Sequence, residues 1–324
     1  MRVLVTGGTG FLGRHLVHAL VERGHQVTVL YRSEKRLHHL PKDVQTIRGD
    51  VKDADSIQGC ARGHEVVFHL AGEVAWGRRL RRRMLEGHLV GTRHLIAEAK
   101  RAEVARFILT SSAAAVGFSD DGTPLDEYAP FNGDRLNIGY AIAKRKAEEE
   151  VLREADAGFP GLCVNPSVIV GPRSPSFLSR VAQGRLRLAP AGGVNLVDVR
   201  DVVEGHLLAM EKGKPGTRTI LAGTNLPLVD VFQQIQHLAG GEVNVRPLSR
   251  SYARLVAIVA EMASWINGRD AALAWDLATL TNRYAYYDAT EAKQQWGWQA
   301  RPLQETLSWA LAQTGDNDKQ ARPR

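Results

Sequence analysis

The stretch RVLVTGGTGFLG, residues 2–13, restricts what this chain can fold into more than any other segment. A short, nearly all-apolar run (residues 2–5) reads as a strand, Gly7, Gly10 and Gly13 follow at intervals of three, and FLGRHLVHALVERG from Phe11 carries helical periodicity. A strand that enters a glycine turn and leaves it as a helix opens a βαβ unit. Gly7 permits the tight turn, Gly10 keeps a side chain away from an incoming diphosphate, and Gly13 lets the helix lie close to the sheet. Main-chain amides of the first turn, around Thr9, Phe11 and Leu12, then face the phosphates.

The same alternation continues. QVTVLY (26–31), VQTI (44–47), EVVFHL (65–70), RFILTS (106–111) and GLCVNPSVIV (161–170) read as further strands, with helical patterns between most of them. This predicts an α/β fold, a Rossmann-type doubly wound parallel sheet covered on both faces. Beyond residue 175 the pattern becomes mixed: a short helix in SFLSRVAQGRL, a strand in VNLVDV, helices from Asp201 and Leu228, a helix over 251–267 and another from Asp288. We therefore expect a dinucleotide-binding core carrying the catalytic residues over 1–175. A smaller mixed α/β substrate lobe should occupy 176–313, with some segments returning to the core. TGDNDKQARPR (314–324) lacks apolar periodicity and is expected to be disordered.

Composition narrows the function classes. The net charge is +7, but the basic residues are spread along the chain, which favours an acidic small molecule or general solubility over a nucleic-acid surface. RRLRRR (78–83) is either a solvated helix face or the rim of an entrance for an anionic substrate; no aromatic platforms accompany it as a nucleic-acid groove requires. Cys60 and Cys163 form no CxxC, and no His/Asp/Glu cluster has metal-ligand spacing, so neither a disulfide framework nor a metal site is expected. The longest apolar stretch, LVAIVAEMASWI from Leu255, is broken by Glu261 and Ser264 and is too short to span a bilayer, and MRVLVTGG is too short for a secretory leader. A cytoplasmic location with no membrane partner is the expectation.

After the second strand, where an acidic residue would hold the ribose hydroxyls of NAD, the chain has Tyr31 and Arg32, followed by Lys35 and Arg36. An arginine there suits a 2'-phosphate, which predicts NADP in preference to NAD. Asp50, next to Val51, stands where a carboxylate can approach the adenine amino group. Leu70, Ala71 and Gly72 end the fourth strand with room for a cofactor, whereas His69 reads as hydrogen-bonded structure. In GYAIAKRKAEE, Tyr140 and Lys144 lie one helical turn apart, on a helix whose charged run would by itself read as a solvated face.

Taken together, TGGTGFLG, TSSAAAVG (110–117) and YAIAK occur in the order of the motifs of the extended short-chain dehydrogenase/reductase family, which this chain resembles over nearly its whole length. VNPSVIVGP, NLVDVRDVVEGHLLAMEKG and the WGW…PLQETL end also fit. The subgroups nearest in pattern are dihydroflavonol-4-reductase-like reductases and the hopanoid-associated sugar epimerase type. The resemblance implies hydride transfer at a carbonyl or secondary-alcohol carbon, by a reductase or an epimerase. The substrate would be a nucleotide sugar or a small ketone or alcohol, and the enzyme a homodimer. It makes Tyr140 the general acid/base and has Ser112 hold the substrate oxygen. Lys144 would lower the tyrosine pKa and hold the nicotinamide ribose. His88, Thr110, Asn165, Pro166 and Ser167 would be further cofactor contacts. Ala113, Arg173 and Trp76 would lie on the substrate side, Trp76 lining the cavity or else packing in the core.

Two positions depart from the family pattern. His88 stands where the family commonly has an asparagine that supports a water path to the lysine, and Asp198 stands where sugar-epimerase relatives often carry histidine, while Asp201 matches. A non-catalytic NADP-binding redox sensor is the alternative reading. The intact Ser112, Tyr140 and Lys144 argue against it, since a sensor has no need of all three.

Overall fold

In the computed structural model, which describes residues 1–74, 81–174, 177–241, 243–267 and 275–320, the glycine turn sits at the centre of the main sheet. The strands are β1 (Arg2–Thr6), β2 (Gln26–Tyr31), β3 (Gln45–Arg48), β4 (Val66–His69), β5 (Arg106–Thr110), β6 (Gly161–Pro166), β7 (Val168–Val170), β8 (Leu188–Pro190), β9 (Gly192–Asp198), β10 (Arg218–Leu221), β11 (Thr224–Pro227), β12 (Arg246–Leu248) and β13 (Arg283–Ala285). Seven of them form an all-parallel sheet in the order β3-β2-β1-β4-β5-β6-β10. This is the expected doubly wound architecture. Strand order reverses between β1 and β4, and the crevice outside the carboxyl ends at that point is where such sheets bind ligands.

Side-chain alternation explains why these strands are apolar on both faces. Val3 and Val5 pack with Leu16, Val17 and Leu20 of the helix Phe11–Glu22, while Leu4 between them packs with Leu95, Ile96 and Ala99 of the helix Gly91–Arg101. Ile108 and its neighbours Phe107 and Leu109 divide between the same two layers. A strand covered on both faces cannot show a polar side.

GLCVNPSVIV, expected as one strand, is two. β6 ends at Pro166 in the main sheet, and after Ser167 the chain enters a second sheet, where β7 pairs with β9. In that sheet β9 pairs with β11 along one edge, and with β13 and then β7 along the other. Ser167 joins the two sheets: its N–H donates to Leu221 O (3.1 Å) and its hydroxyl to Asn195 Oδ1 (2.5 Å). The segment RTILAG returns to the main sheet as β10. The closing helix, Leu303–Gln320, extends into the segment expected to lack structure.

Asp198, which departs from the family pattern, and Asp201, which matches it, both serve architecture. Asp198 accepts the Arg200 N–H (2.7 Å) at the start of the helix Val199–Lys212, and also the hydroxyl of Thr306 (2.9 Å). Asp201 accepts the Arg301 N–H (2.7 Å) and pairs with the Arg301 guanidinium, while Trp298 donates to Asp201 O (2.7 Å). Both carboxylates are buried and tie the C-terminal segment to the helix beneath it.

Candidate active site

The glycine loop has the shape of a diphosphate cradle. Gly7 adopts φ +72°, where a Cβ would also lie 2.7 Å from Ala71 N. A Cβ on Gly13 would stand 2.1 Å from Gly7 O, so only glycine allows the helix this close to the loop. No side chain caps the helix Phe11–Glu22 at Gly10, and its first turn has no acidic residue. Its leading amides, beside Thr9, Phe11 and Leu12, are therefore the donors a phosphate would take. These residues fit a dinucleotide.

Arg14 was not singled out in the sequence. Its guanidinium donates to Pro172 O (3.1 Å), and its pKa is lowered first by burial and then by the positive charges of Arg173 and Arg36. A cation in the first turn of a helix opposes the helix dipole; that mismatch, immediately after Gly13, was the available signal. Arg173 has a left-handed backbone (φ 61°). Arg32, after Tyr31 at the end of β2, is largely exposed and lies 3.6 Å from the Asp50 carboxylate, which also accepts the Lys52 N–H (3.0 Å). Val51 is in the core, and its carbonyl faces His94 Nδ1 at 2.9 Å.

Tyr140 and Lys144 lie on the buried face of the helix Gly139–Asp156, 8% and 6% exposed, so they are not part of a solvated surface. The Tyr140 phenol is hydrogen-bonded to the Ser112 hydroxyl, which also accepts the Ala114 N–H (3.2 Å). Lys144 Nζ donates to Thr110 O (2.8 Å). Burial brings the Lys144 ammonium down to about 8, with the Glu148 carboxylate opposing it. For Tyr140 the expected direction is reversed. Burial pushes the phenol above its ordinary value, and the Ser112 hydrogen bond only partly offsets this. Desolvation of the phenolate decides the direction.

Beneath the pair is a polar frame that the sequence reading missed. Glu148, the next step along the same helix face, is fully buried between Arg218 Nη1 (2.8 Å) and Asn165 Nδ2 (2.6 Å). The same Asn165 amide donates to Ser112 O (3.1 Å), so Glu148 is linked through Asn165 to the backbone of the serine. Opposite, His206 Nδ1 donates to Val202 O (2.7 Å), which makes Nε2 the acceptor for the Thr110 hydroxyl (2.8 Å). The available sequence signal was an acid four residues beyond Lys144 on an otherwise buried face. Asn165 and Ser167, expected as cofactor contacts, use their side chains in this frame and in the junction between sheets; Pro166 ends β6 and Ala113 is buried.

His69 is structural, as its position suggested. The Thr92 hydroxyl donates to His88 O (2.5 Å), so His69 Nε2 donates to Thr92 Oγ1 (3.1 Å) and its Nδ1 accepts from Thr6 Oγ1 (2.8 Å). Ala71 N–H completes the set on Thr6 Oγ1 (3.2 Å), fixing the strand end that carries Leu70, Ala71 and Gly72. His88 lies in a π-helical turn, Glu86–Val90, a form of helix frequent at functional sites. Its Nε2 donates to Glu73 O (2.9 Å) and its ring meets Tyr140 edge-to-face, 6.0 Å between centroids. Gly72 accommodates the ring, since a Cβ there would be 2.2 Å from His88 Cε1. Burial, assisted by the charge of Lys144, lowers the His88 pKa to about 3.

His88 is therefore neutral in the working range. His88→Asn should keep turnover within about tenfold of the parent, at a ratio that stays flat between about pH 6 and 8. A loss matching that of Tyr140→Phe, or a ratio that follows a titration, would make His88 the principal base.

Trp76, Arg78 and Arg79 lie outside the described residues. Arg81, Arg82 and Arg83 are engaged by Asn137, Glu86 and Glu73 respectively. Among the described residues no group of three or more His, Cys, Asp or Glu side chains could hold a metal ion.

Comparison with known proteins bears on the family and the fold. The NAD dependent epimerase/dehydratase family matches residues 3–223. A Synechocystis sp. protein named for dihydroflavonol 4-reductase is 32% identical, covering 95% of this chain and 92% of its own. Sterol demethylase protein B of Methylococcus capsulatus is 36% identical over 74% of this chain and 75% of its own. The crystal structure of gox2253 superimposes with a TM-score of 0.85 at 31% identity, covering 97% of this chain and 98% of that one. With its glycine cradle at the switch point of a doubly wound sheet, the chain belongs to the NAD-dependent epimerase/dehydratase family and is an NAD(P)-dependent enzyme.

Proposed function

We propose that this enzyme is a reductase that converts a ketone on a largely apolar carbon skeleton to a secondary alcohol, with NADPH as the preferred cofactor. The observation that carries the reading is the buried Tyr140–Ser112 pair and the neighbouring Lys144, just beyond the carboxyl end of β5. A phenol whose pKa is raised by burial remains protonated at neutral pH, which suits it to donate. When bound, the nicotinamide supplies a hydride to the carbonyl carbon. Tyr140 gives its proton to the carbonyl oxygen, so the C=O π bond is replaced by one C–H and one O–H bond. Ser112 orients that oxygen by hydrogen bonding, and Lys144 holds the ribose and supplies positive charge as the phenol loses its proton. The names of two relatives, one printed as a putative dihydroflavonol 4-reductase and one as sterol demethylase protein B, support the skeleton: both refer to multi-ring molecules.

Single-turnover reduction of a panel of cyclic ketones tests the reading, with nucleotide sugars run alongside. Cofactor that exchanges in every turnover and alcohol product from a ring ketone are the expected results. Protein purified with tightly held NAD that interconverts nucleotide-sugar epimers would overturn it in favour of an epimerase. Cofactor binding with no turnover of either class would favour the redox sensor.

For the cofactor, Arg32 and the absence of an acid at Tyr31 support NADPH, and the combined charge of Arg14, Arg36 and Arg173 favours an additional phosphate. NADPH should bind more tightly than NADH at matched ionic strength, and Arg32→Ala should weaken NADPH by about tenfold with little effect on NADH. Equal or tighter binding of NADH by the parent protein contradicts the assignment.

A further inference from the structure

Tyr287 lies outside every motif that pointed to the active site, in the segment that follows β13. It is buried in the same core as Ala113 and Val116 of the catalytic-serine segment, and its hydroxyl donates to Gly117 O (3.0 Å). A buried tyrosine hydroxyl usually finds some partner; here the partner closes the turn that begins at Ser112. Within that turn the Ala115 N–H donates to Ser112 O (2.9 Å) and the Val116 N–H to Ala113 O (2.9 Å). Gly117 follows in the left-handed region (φ +136°), where a Cβ would stand 2.9 Å from Asn132 Oδ1. Asn132 in turn holds Phe118 at its N–H (3.0 Å) and at its carbonyl (2.7 Å). Among the described residues no other donor reaches Gly117 O. The far end of the turn is therefore fixed by Tyr287 and Asn132.

Tyr287 is itself held from the second sheet. Asn225 Nδ2 donates to Tyr287 O (3.1 Å), and Asn225 Oδ1 accepts the Tyr287 N–H (3.1 Å). The same Oδ1 accepts from Asn195 Nδ2 (2.7 Å), and Asn195 Oδ1 accepts from the Ser167 hydroxyl (2.5 Å) and the Gly223 N–H (2.9 Å). A polar chain thus runs from the end of β6, through β9 and β11, to Tyr287. Its neighbours lace the loop beyond Gly117. Ser119 and Tyr284 exchange N–H···O bonds (2.8 and 2.9 Å), and Leu125 donates to Tyr286 O and accepts from the Asp288 N–H (both 2.9 Å). The chain ends beside the reacting groups: negative charge on Tyr140 would add to the upward push that burial exerts on the Tyr287 phenol.

We propose that Tyr287 is a positioning residue, through which the second sheet fixes the Ser112–Gly117 turn and with it the serine hydroxyl bonded to Tyr140. The proposal rests on the role given to Ser112 in the reduction above. Without the Tyr287 hydroxyl the Gly117 carbonyl loses its donor, the turn is free to shift, and the Ser112–Tyr140 bond weakens. Misplacing reacting groups by about 1 Å can cost about 100-fold in rate. A Tyr287 that only packed the core would stabilise the fold without setting the serine, and the two roles separate at Tyr140.

NMR of the full chain, with tyrosine isotopically labelled at Cζ, provides a test that needs no substrate. Tyr140→Phe assigns the Tyr140 resonance, and Ser112→Ala gives its position once the serine bond is lost. Tyr287→Phe keeps the ring in the core and should move the Tyr140 resonance, near neutral pH, in the same direction as Ser112→Ala. Asn225→Ala, which releases Tyr287 from the other side, should move it the same way and carries the test if Tyr287→Phe does not fold. With a ring ketone that the parent reduces, Tyr287→Phe should lower kcat by about tenfold or more while the KM for NADPH stays within about twofold of the parent. A Tyr140 resonance at the parent position in the folded variants overturns the proposal, and so does parent kcat in Tyr287→Phe. Absence of ring-ketone reduction by the parent counts against the reductase reading alone, and the resonance still decides the role of Tyr287.

Discussion

Tyr140→Phe is expected to slow the chemical step by about 10²–10⁴-fold while leaving folding and cofactor affinity near those of the parent. The substitution removes one hydroxyl from a ring that packs with Met84 and Ala143, so the packing is retained while the proton donor and its bond to Ser112 are lost. Lys144→Ala should have a broader signature: slower turnover together with weaker cofactor binding. Its ammonium is anchored on Thr110 O, and the proposed reaction has it hold the ribose. Single-turnover rates across pH, measured with cofactor affinity for parent and both variants, separate the two roles. Near-parent turnover by folded, cofactor-saturated Tyr140→Phe would end the proposed mechanism.

The second large effect is expected at Glu148, a positioning residue fully buried against Asn165 and Arg218. Glu148→Ala leaves Arg218 facing a buried vacancy and takes away the acceptor that orients Asn165. Breaking a buried pair from one side costs about 3–5 kcal/mol, and urea unfolding should report a loss of that size. Because Asn165 also holds the Ser112 carbonyl, kcat should fall further than a purely structural change requires. The pH profile gives an independent readout. Glu148 opposes the downward pull of burial on Lys144, so removing it should move the lysine below its present value of about 8 and shift the corresponding limb of the profile to lower pH. Glu148→Gln, which retains the acceptor without the charge, should recover much of the stability but not the pH profile. Unfolding and a profile that both match the parent would leave Glu148 with no part in the site.

The doubly wound core was legible because its signals are short in range. A strand, a three-glycine turn and a helix lie within residues 1–22, and the φ of Gly7 and the closeness of Gly13 follow from that order of residues. The spacing of Tyr140 and Lys144 placed them on one helix face in the same way. What the sequence could not determine depends on partners far along the chain. GLCVNPSVIV divides between two sheets because Leu221 and Asn195 engage Ser167 from different strands. Glu148 becomes an anchor only once Arg218, 70 residues away, closes on it. The apolar stretch from Leu255 does not show by itself which face of its helix is buried; the fold places Ala253 and Ala257 inward and leaves Leu255 and Val259 exposed. The protonation of Tyr140 is decided by the same distant packing: burial removes water from the phenol and penalises its anion more than the Ser112 hydrogen bond favours it. Local pattern determines which segments are strands and helices. Which side chains are dry, paired and charged is settled by contacts that exist only after the chain has folded, because desolvation depends on everything that surrounds a group.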